Sequence, residues 1–221
     1  MRLGTNAVNR DVVSSMVTDI LPVVFVIDDD ISVRESLELL IRNAGWAAET
    51  FESAHEFLSR PRRRVPSCLI LDISLPDVSG LDLQRRLAND RTDIPIIFVT
   101  GLGDVPISVQ AMKAGAVDFF PKPFGDGPLL SAIRLALERS KATLERDVEM
   151  QTLRDRYTSL SRREQQVMTL VVRGFLNKQV GFELGISEIT VKAHRGRVMR
   201  KMNARSLADL VNIATKLHLT N

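Results

Sequence analysis

Between Pro22 and about residue 140, five short apolar runs alternate with stretches of helical character, and this alternation constrains the fold more than any other feature. The runs are Val23 to Ile27, Ala47 to Phe51, Cys68 to Leu71, Ile96 to Val99 and Ala116 to Phe120. The helical stretches cover 31–44, 53–60, 79–89, 104–114 and 127 onward. Strands that are apolar throughout, with no in/out alternation, are covered on both faces, and helices on both faces imply parallel strands joined by crossovers. The first part of the chain is therefore expected to be α/β, with a five-stranded parallel sheet. In open sheets of this kind ligands bind beyond the carboxyl ends of the strands, where strand order reverses. The residues just past those ends are Asp28-Asp29-Asp30, Asp72, Thr100-Gly101 and Lys122-Pro123.

Residues 1–21 carry no sustained periodicity and read as a flexible leader, so the α/β core is assigned to 22–127. After Gly125-Asp126-Gly127-Pro128, residues 129–157 lack Gly and Pro and read as one charged helix with a thin apolar set, Leu130, Ile133, Leu137, Leu144 and Val148. Segment 128–157 is accordingly both the last helix of the first domain and a helical linker. Ser161-Arg162-Arg163-Glu164 has the form of a capping box and precedes Val167, Met168, Leu170 and Val171, which marks a fresh helix and a second, all-α domain over 158–221. Helices over 177–184, 188–202 and 206–218 follow. The first two are joined by Gly185-Ile186-Ser187, where Gly suits a left-handed helix end and Ser caps the next helix.

The apolar runs are far shorter than a bilayer span and the N-terminus lacks the layout of a signal peptide, so a cytoplasmic protein without a membrane partner is expected. The single cysteine, Cys68, lies inside an apolar run and reads as a core residue. The formal charge of +3 conceals an asymmetry: residues 1–124 carry net −4, 125–158 are neutral and 159–221 carry net +7. A basic tail of that size points to a polyanionic partner; by charge alone, a solvated basic face explains it equally well.

With the first and third strands adjacent, as in a 2-1-3-4-5 sheet, Asp28, Asp29 and Asp72 converge. Three clustered carboxylates repel and take up protons unless a cation neutralises them, and hard oxygen ligands favour Mg²⁺. Asp30 stands where it caps helix 31–44. The Asp28-Asp29 pair, Asp72 in Leu-Asp-Ile-Ser-Leu-Pro-Asp-Val-Ser-Gly, Thr100 and Lys122-Pro123-Phe124 together resemble the receiver domain of two-component response regulators, a flavodoxin-like fold. The resemblance implies that Asp72 accepts a phosphoryl group from a sensor histidine kinase. It also implies that Asp29, Asp72 and the backbone carbonyl of Ser74 hold Mg²⁺, with Asp28 assisting through water. Thr100 and Phe119 would form the switch, and Lys122, aimed at Asp72 by a cis Lys122–Pro123 bond, would supply charge. Ser74 and Leu102 occupy positions that in the family influence access of attacking water. The bland alternatives are a core aromatic for Phe119 and a plain strand terminus for Thr100.

Leu-Ser-Arg-Arg-Glu-Gln-Gln-Val, Asn-Lys-Gln-Val and Leu-Gly-Ile-Ser-Glu-Ile-Thr-Val-Lys-Ala-His-Arg resemble the four-helix output domain of LuxR/NarL-type regulators, and with the receiver match the chain is similar to the FixJ subgroup. Gly181 stands where that family usually has Ala, at a cost of about 1 kcal/mol in a helix interior. On helix 188–202, Val191, Val198 and Met202 share the core side, whereas Ile189, Lys192, Ala193, Gly196, Arg197 and Arg200 share the other, with Arg195 and Lys201 flanking. A face of small and basic residues fits the major groove of double-stranded DNA. Lys192, Ala193 and Gly196 are placed nearest the bases. Thr190, Arg197, Arg200, Asn177 and Lys178 are placed nearest phosphates. His194 reads as partly buried packing, and the Arg60 to Arg64 run as a solvated loop.

The resemblance further implies a homodimer formed on phosphorylation through the fourth helix and fifth strand, at Val109, Lys113 and Asp118, with RNA polymerase as a candidate partner. The stripe Leu207, Leu210, Val211, Ala214 and Leu217 either pairs output domains or packs the core. The chain is expected to be a phosphoacceptor rather than an enzyme, hydrolysis of its own aspartyl phosphate aside. Two alternatives stand beside this reading: a regulator that binds DNA independently of phosphorylation, with the receiver as a scaffold, and an Asp-nucleophile phosphatase. The phosphatase would need a second acidic residue two positions after Asp72, where Ser74 stands.

Overall fold

A computed structural model describes residues 21–61, 63–89, 94–101 and 105–219. The expected leader, up to residue 20, and Leu102 lie outside the described residues. The chain separates into two units, Met1–Leu144 and Glu145–Asn221.

In the first unit, β1 (Val23–Ile27), α1 (Ile31–Asn43), β2 (Ala47–Phe51), α2 (Ala54–Ser59), β3 (Ser67–Asp72), α3 (Gly80–Asn89), β4 (Ile96–Thr100), α4 (Val105–Lys113) and β5 (Asp118–Pro121) are followed by α5 (Asp126–Thr158). All strands are parallel, in the order β2-β1-β3-β4-β5. Because successive residues of a strand point to opposite faces, the apolar runs feed two cores. Phe25, Ile27, Leu69, Leu71 and Phe98 pack on one face with Phe57 of α2, Leu83 and Leu87 of α3 and Ala111 of α4. Val24, Val26, Cys68, Ile70, Ile97 and Val99 pack on the other with Leu37 and Ile41 of α1 and Leu129, Ile133 and Leu137 of α5. Burial pushes the Cys68 thiol well above its ordinary value, in keeping with an inert core residue.

Three local readings change. The last strand begins at Asp118 rather than Ala116, because Gly115 closes α4 at φ +92° and the Ala116 amide is still bonded back to Ala111. Helix α5 starts at Asp126, since Pro128 is tolerated in a first turn, and it buries Leu129 where the apolar set pointed to Leu130. Arg60 is not simply solvated: its guanidinium lies 3.6 Å from the centroid of the Phe25 ring, over a cluster completed by Phe51 and Phe57, and pairs with Glu49 at 3.5 Å. On α5, buried Ser140 accepts the Ser67 amide at 3.0 Å and so ties the start of β3.

The second unit contains the end of α5 and four helices, α6 (Arg162–Val172), α7 (Asn177–Leu184), α8 (Glu188–Lys201) and α9 (Leu207–Lys216). Their shared core includes Leu153, Val167, Met168, Val171, Val180, Val191, Val198, Met202, Leu210, Ile213 and Ala214. Leu210 and Ala214 of the α9 stripe are thus absorbed by the unit's own core, whereas Leu207 is exposed. The capping box at α6 is formed: Glu164 N–H donates to Ser161 Oγ at 3.3 Å and Ser161 N–H to Glu164 Oε2 at 2.9 Å. Lys201, at the end of α8, bends to the same carboxylate at 2.7 Å. Gly185 ends α7 in the left-handed region (φ +64°) and Ser187 caps α8. A Cβ on Gly181 would lie 2.8 Å from the Ile186 carbonyl oxygen, so this glycine lets the α7–α8 turn close onto α7. Among the described residues no helix is long and apolar enough to cross a membrane.

Two outcomes are expected. The hydrogen bond from Lys201, then that from the Ser161 amide, hold the Glu164 carboxyl below its ordinary value of 4.5. Its contribution to stability is therefore present above that value and is lost as pH falls through the lowered one. Glu164→Gln should cost about 1 kcal/mol at neutral pH, and urea unfolding at stepped pH should show the difference vanishing in acid. Gly181→Ala should also lower stability, by about 1 kcal/mol, because overpacking against backbone outweighs the gain in helix propensity. A raised melting temperature would contradict this.

Candidate functional site

The parallel register brings the carboxyl ends of β1 and β3 side by side: Ile27 pairs with Leu71, so Asp28 follows one strand just as Asp72 ends the other. Between these strands the order of the sheet reverses, with β2 beyond β1 on one side and β4 and β5 beyond β3 on the other. Asp28 and Asp72 are buried and Asp29 is exposed; one carboxylate oxygen from each lies within 4.8 Å of the others. Lys122, just past β5, bridges the two buried acids, with Nζ 2.6 Å from Asp28 Oδ2 and 2.7 Å from Asp72 Oδ2. It is held there from its backbone, whose N–H donates to the Thr100 carbonyl at 2.7 Å. The Lys122–Pro123 bond is cis.

Burial pushes the Asp28 carboxyl above its ordinary value, in spite of the Lys122 hydrogen bond and the Asp30 amide at 3.0 Å, which both favour its ionised form. Burial also works to lower the Lys122 ammonium, but the hydrogen bonds it donates to Asp28 and Asp72 outweigh that and raise the group overall. The cluster thus places buried negative charge beside an exposed carboxylate, and its all-oxygen donor set fits a hard divalent cation. Asp72 Oδ1 accepts the Ser74 amide at 3.1 Å, which folds the loop after β3 back over the acid. Asp30 caps α1 by accepting the Ser32 amide at 2.8 Å. Thr100 is buried at the end of β4, next to Val99, the partner of Asp72 in the ladder. Phe119 is half-buried on β5 against the α2–α4 face of the core. Val109 and Lys113 are exposed on α4; Asp118 is half-buried and accepts the Phe119 amide at 2.8 Å.

Periodicity did not indicate three further supports. Arg34 donates to the Asp28 carbonyl at 2.6 Å from the first turns of α1. Asp77 accepts the His55 amide at 2.9 Å and the Ala54 amide at 3.4 Å, tying the loop after Asp72 to the start of α2. Gly80 opens α3 against the backbone of the acid itself: a Cβ there would lie 2.5 Å from the Asp72 carbonyl oxygen and 3.0 Å from Ile73 Cα. The only sequence signal for these contacts is the spacing of Asp77 and Gly80 after Asp72.

In the second unit, α8 turns Val191 and Val198 inward, with Met202 capping its end, and leaves Ile189, Lys192, Ala193, Gly196, Arg197 and Arg200 exposed and Thr190 half-buried. Lys178 of α7 is exposed beside Phe182, which is itself 87% exposed. Asn177 accepts a hydrogen bond from Arg195 at 3.1 Å, which joins α7 to α8. Lys192 pairs with Glu188 at 3.1 Å across one turn. Lys201 leaves the basic face for the Glu164 carboxylate and the Ser159 carbonyl. His194 is half-buried. Gly196 has ordinary helical backbone, and a Cβ there would meet nothing within 4 Å.

A parallel 2-1-3-4-5 sheet with an acidic cluster and a lysine at its switch point, followed by a helix-turn-helix unit with a basic face, defines a receiver joined to a DNA-binding module. Residues 24–134 match the response regulator receiver domain and residues 158–214 match the bacterial regulatory proteins of the luxR family. The chain belongs to the response regulators that combine these two domains. It is 48% identical over 200 residues to response regulator protein TodT of Pseudomonas putida, covering 90% of this chain and 88% of the relative. Nodulation protein W of Bradyrhizobium diazoefficiens is 50% identical over 198 residues, covering 90% and 87%. Transcriptional regulatory protein FixJ of Rhizobium meliloti is 43% identical over 192 residues, covering 86% and 94%. Among solved structures, response regulator StyR superposes with a TM-score of 0.82 at 47% identity, covering 89% of this chain and all of that one.

Gly80→Ala is expected to force the Asp72 and Ile73 backbone away and to destabilise the first unit by about 1 to 3 kcal/mol. Chemical denaturation with a probe in that unit measures the loss.

Proposed function

We propose that this chain is a transcription regulator switched by phosphorylation of Asp72. The observation that carries the reading is the convergence of Asp28, Asp29, Asp72 and Lys122 at neighbouring strand ends. Phosphoryl transfer to a carboxylate needs positioning and charge neutralisation more than covalent assistance. Asp72 would attack the phosphoryl group of a phosphohistidine on a sensor kinase. Asp29, Asp72 and the Ser74 carbonyl would hold Mg²⁺, with Asp28 acting through water; the ion supplies positive charge to the carboxylates and to the phosphoryl oxygens. Lys122 already contacts Asp72, so its ammonium would shift from the carboxylates toward an incoming phosphoryl oxygen.

Thr100, next to the ladder partner of Asp72, would donate its hydroxyl to the phosphoryl group, and Phe119 would follow it inward. That movement reaches β5 and α4, where the exposed Val109 and Lys113 and the half-buried Asp118 would meet a second copy. Dimerisation would then place two α8 helices in successive major grooves, with Lys192, Ala193 and Gly196 nearest bases and Thr190, Arg197, Arg200, Asn177 and Lys178 nearest phosphates. RNA polymerase would be engaged at the promoter. In this reading the chain turns over nothing but its own aspartyl phosphate, whose lifetime Ser74 and Leu102 would tune.

Acetyl phosphate with Mg²⁺ should label the native chain and leave Asp72→Asn unlabelled. Size-exclusion chromatography with light scattering should show the labelled chain as a dimer and the variant as unchanged. A variant that still takes up label, or a labelled chain of unchanged mass, would overturn the corresponding step.

A further inference from the structure

The exposed face of α8 carries an apolar side chain that the protein itself does not use. Ile189, in the first turn, is 80% exposed, whereas Val191 and Val198 of the same helix are buried. It lines up with Lys192, Ala193 and Gly196 at intervals of three, four and seven residues, on the face turned away from the core.

Scattered exposed aliphatic residues are ordinary, but this one coincides with a second anomaly two turns along. A glycine inside a helix is unfavourable relative to alanine, and at Gly196 neither the backbone angle nor any described neighbour requires one. Both features fit an outside surface that presses close to the helix, unobstructed at Gly196 and apolar opposite Ile189. The unit's charge, net +7 over residues 159–221, makes that surface polyanionic. The apolar group that a DNA major groove presents is the 5-methyl of thymine, and the N-terminal residues of a helix seated there lie nearest base edges.

We propose that Ile189 is a specificity-determining residue that packs on a thymine methyl group in each half-site, while Gly196 leaves room for α8 to seat deeply enough for that contact. The inference rests on the DNA-binding reading above and adds to it a base and an atom. Lys192, held by Glu188 one turn from Ile189, remains free to exchange that exposed partner for the DNA.

The test uses the full chain activated with beryllofluoride. A duplex is first selected from a randomised DNA pool, and each of its thymines is then replaced singly by uracil, which removes only the methyl group. Native protein should lose about fourfold in affinity at one position per half-site, the equivalent of one buried methyl group. Ile189→Ser should bind the thymine duplex about that much more weakly and be indifferent to uracil at that position, while Ile189→Val keeps most of the discrimination. A uracil penalty of the same size in Ile189→Ser as in the native chain, or no uracil penalty at any position, would overturn the inference and leave DNA binding intact. Failure to select any sequence would overturn both.

Discussion

The bridge from Lys122 to Asp28 and Asp72 is the interaction on which the first unit's chemistry depends. Two carboxylates buried side by side are unfavourable without a countercharge, and the sheet brings them together because β1 and β3 are paired in a register that ends both strands at the same height. The ammonium reaches them from β5, two strands beyond β3, with its backbone fixed to β4. Strands β1, β3, β4 and β5 therefore all contribute to holding one cation between two anions, and β2 supports Asp28 through the Phe51 carbonyl, which accepts the Asp28 amide at 3.2 Å. A site built in this way responds to a change of charge, because a group that draws Lys122 away leaves buried carboxylate in need of another partner.

Much of this arrangement was legible in the sequence. Apolar runs alternating with helical stretches point to parallel strands covered on both faces, so the patterns of β1, β3 and β4 indicated a parallel sheet and the positions of its strands, while the order 2-1-3-4-5 entered as a condition rather than from the runs themselves. The acidic residues were legible because each follows such a run directly. What escaped were the features that depend on distances across the fold. Arg60 reads as one of a run of loop arginines, yet its neighbours are aromatic rings from β1, β2 and α2. The start of β5 was misplaced because Ala116 and Val117 are apolar and yet belong to the turn that Gly115 shapes. Nothing in the period of Asp77 or Arg34 announces that their partners are backbone groups around the acid.

The second unit shows the same division. The capping box, the Gly185 turn and the inward valines of α8 follow from local rules and are present as those rules require. Helical rotation alone places Lys201 beside the basic face, but a buried carboxylate one helix away claims it. Gly181 reads as a defect by propensity, whereas the returning chain occupies the space a methyl group would need. Charge and propensity describe what a residue prefers in isolation; they do not report which neighbour arrives first.

The approach of α3 to the backbone of Asp72 also bears on how a signal leaves the site. Gly80 lies close on one side, where a Cβ would meet the Asp72 carbonyl oxygen, and Val99 is the ladder partner on β4, so the main chain of the acid is hemmed in. In the proposed reading Asp72 would act as an anvil rather than a hinge: a charge added to its side chain would leave the strand in place and be felt by whatever lies opposite and can still move. A backbone hemmed in at one residue would set the direction in which its neighbours travel.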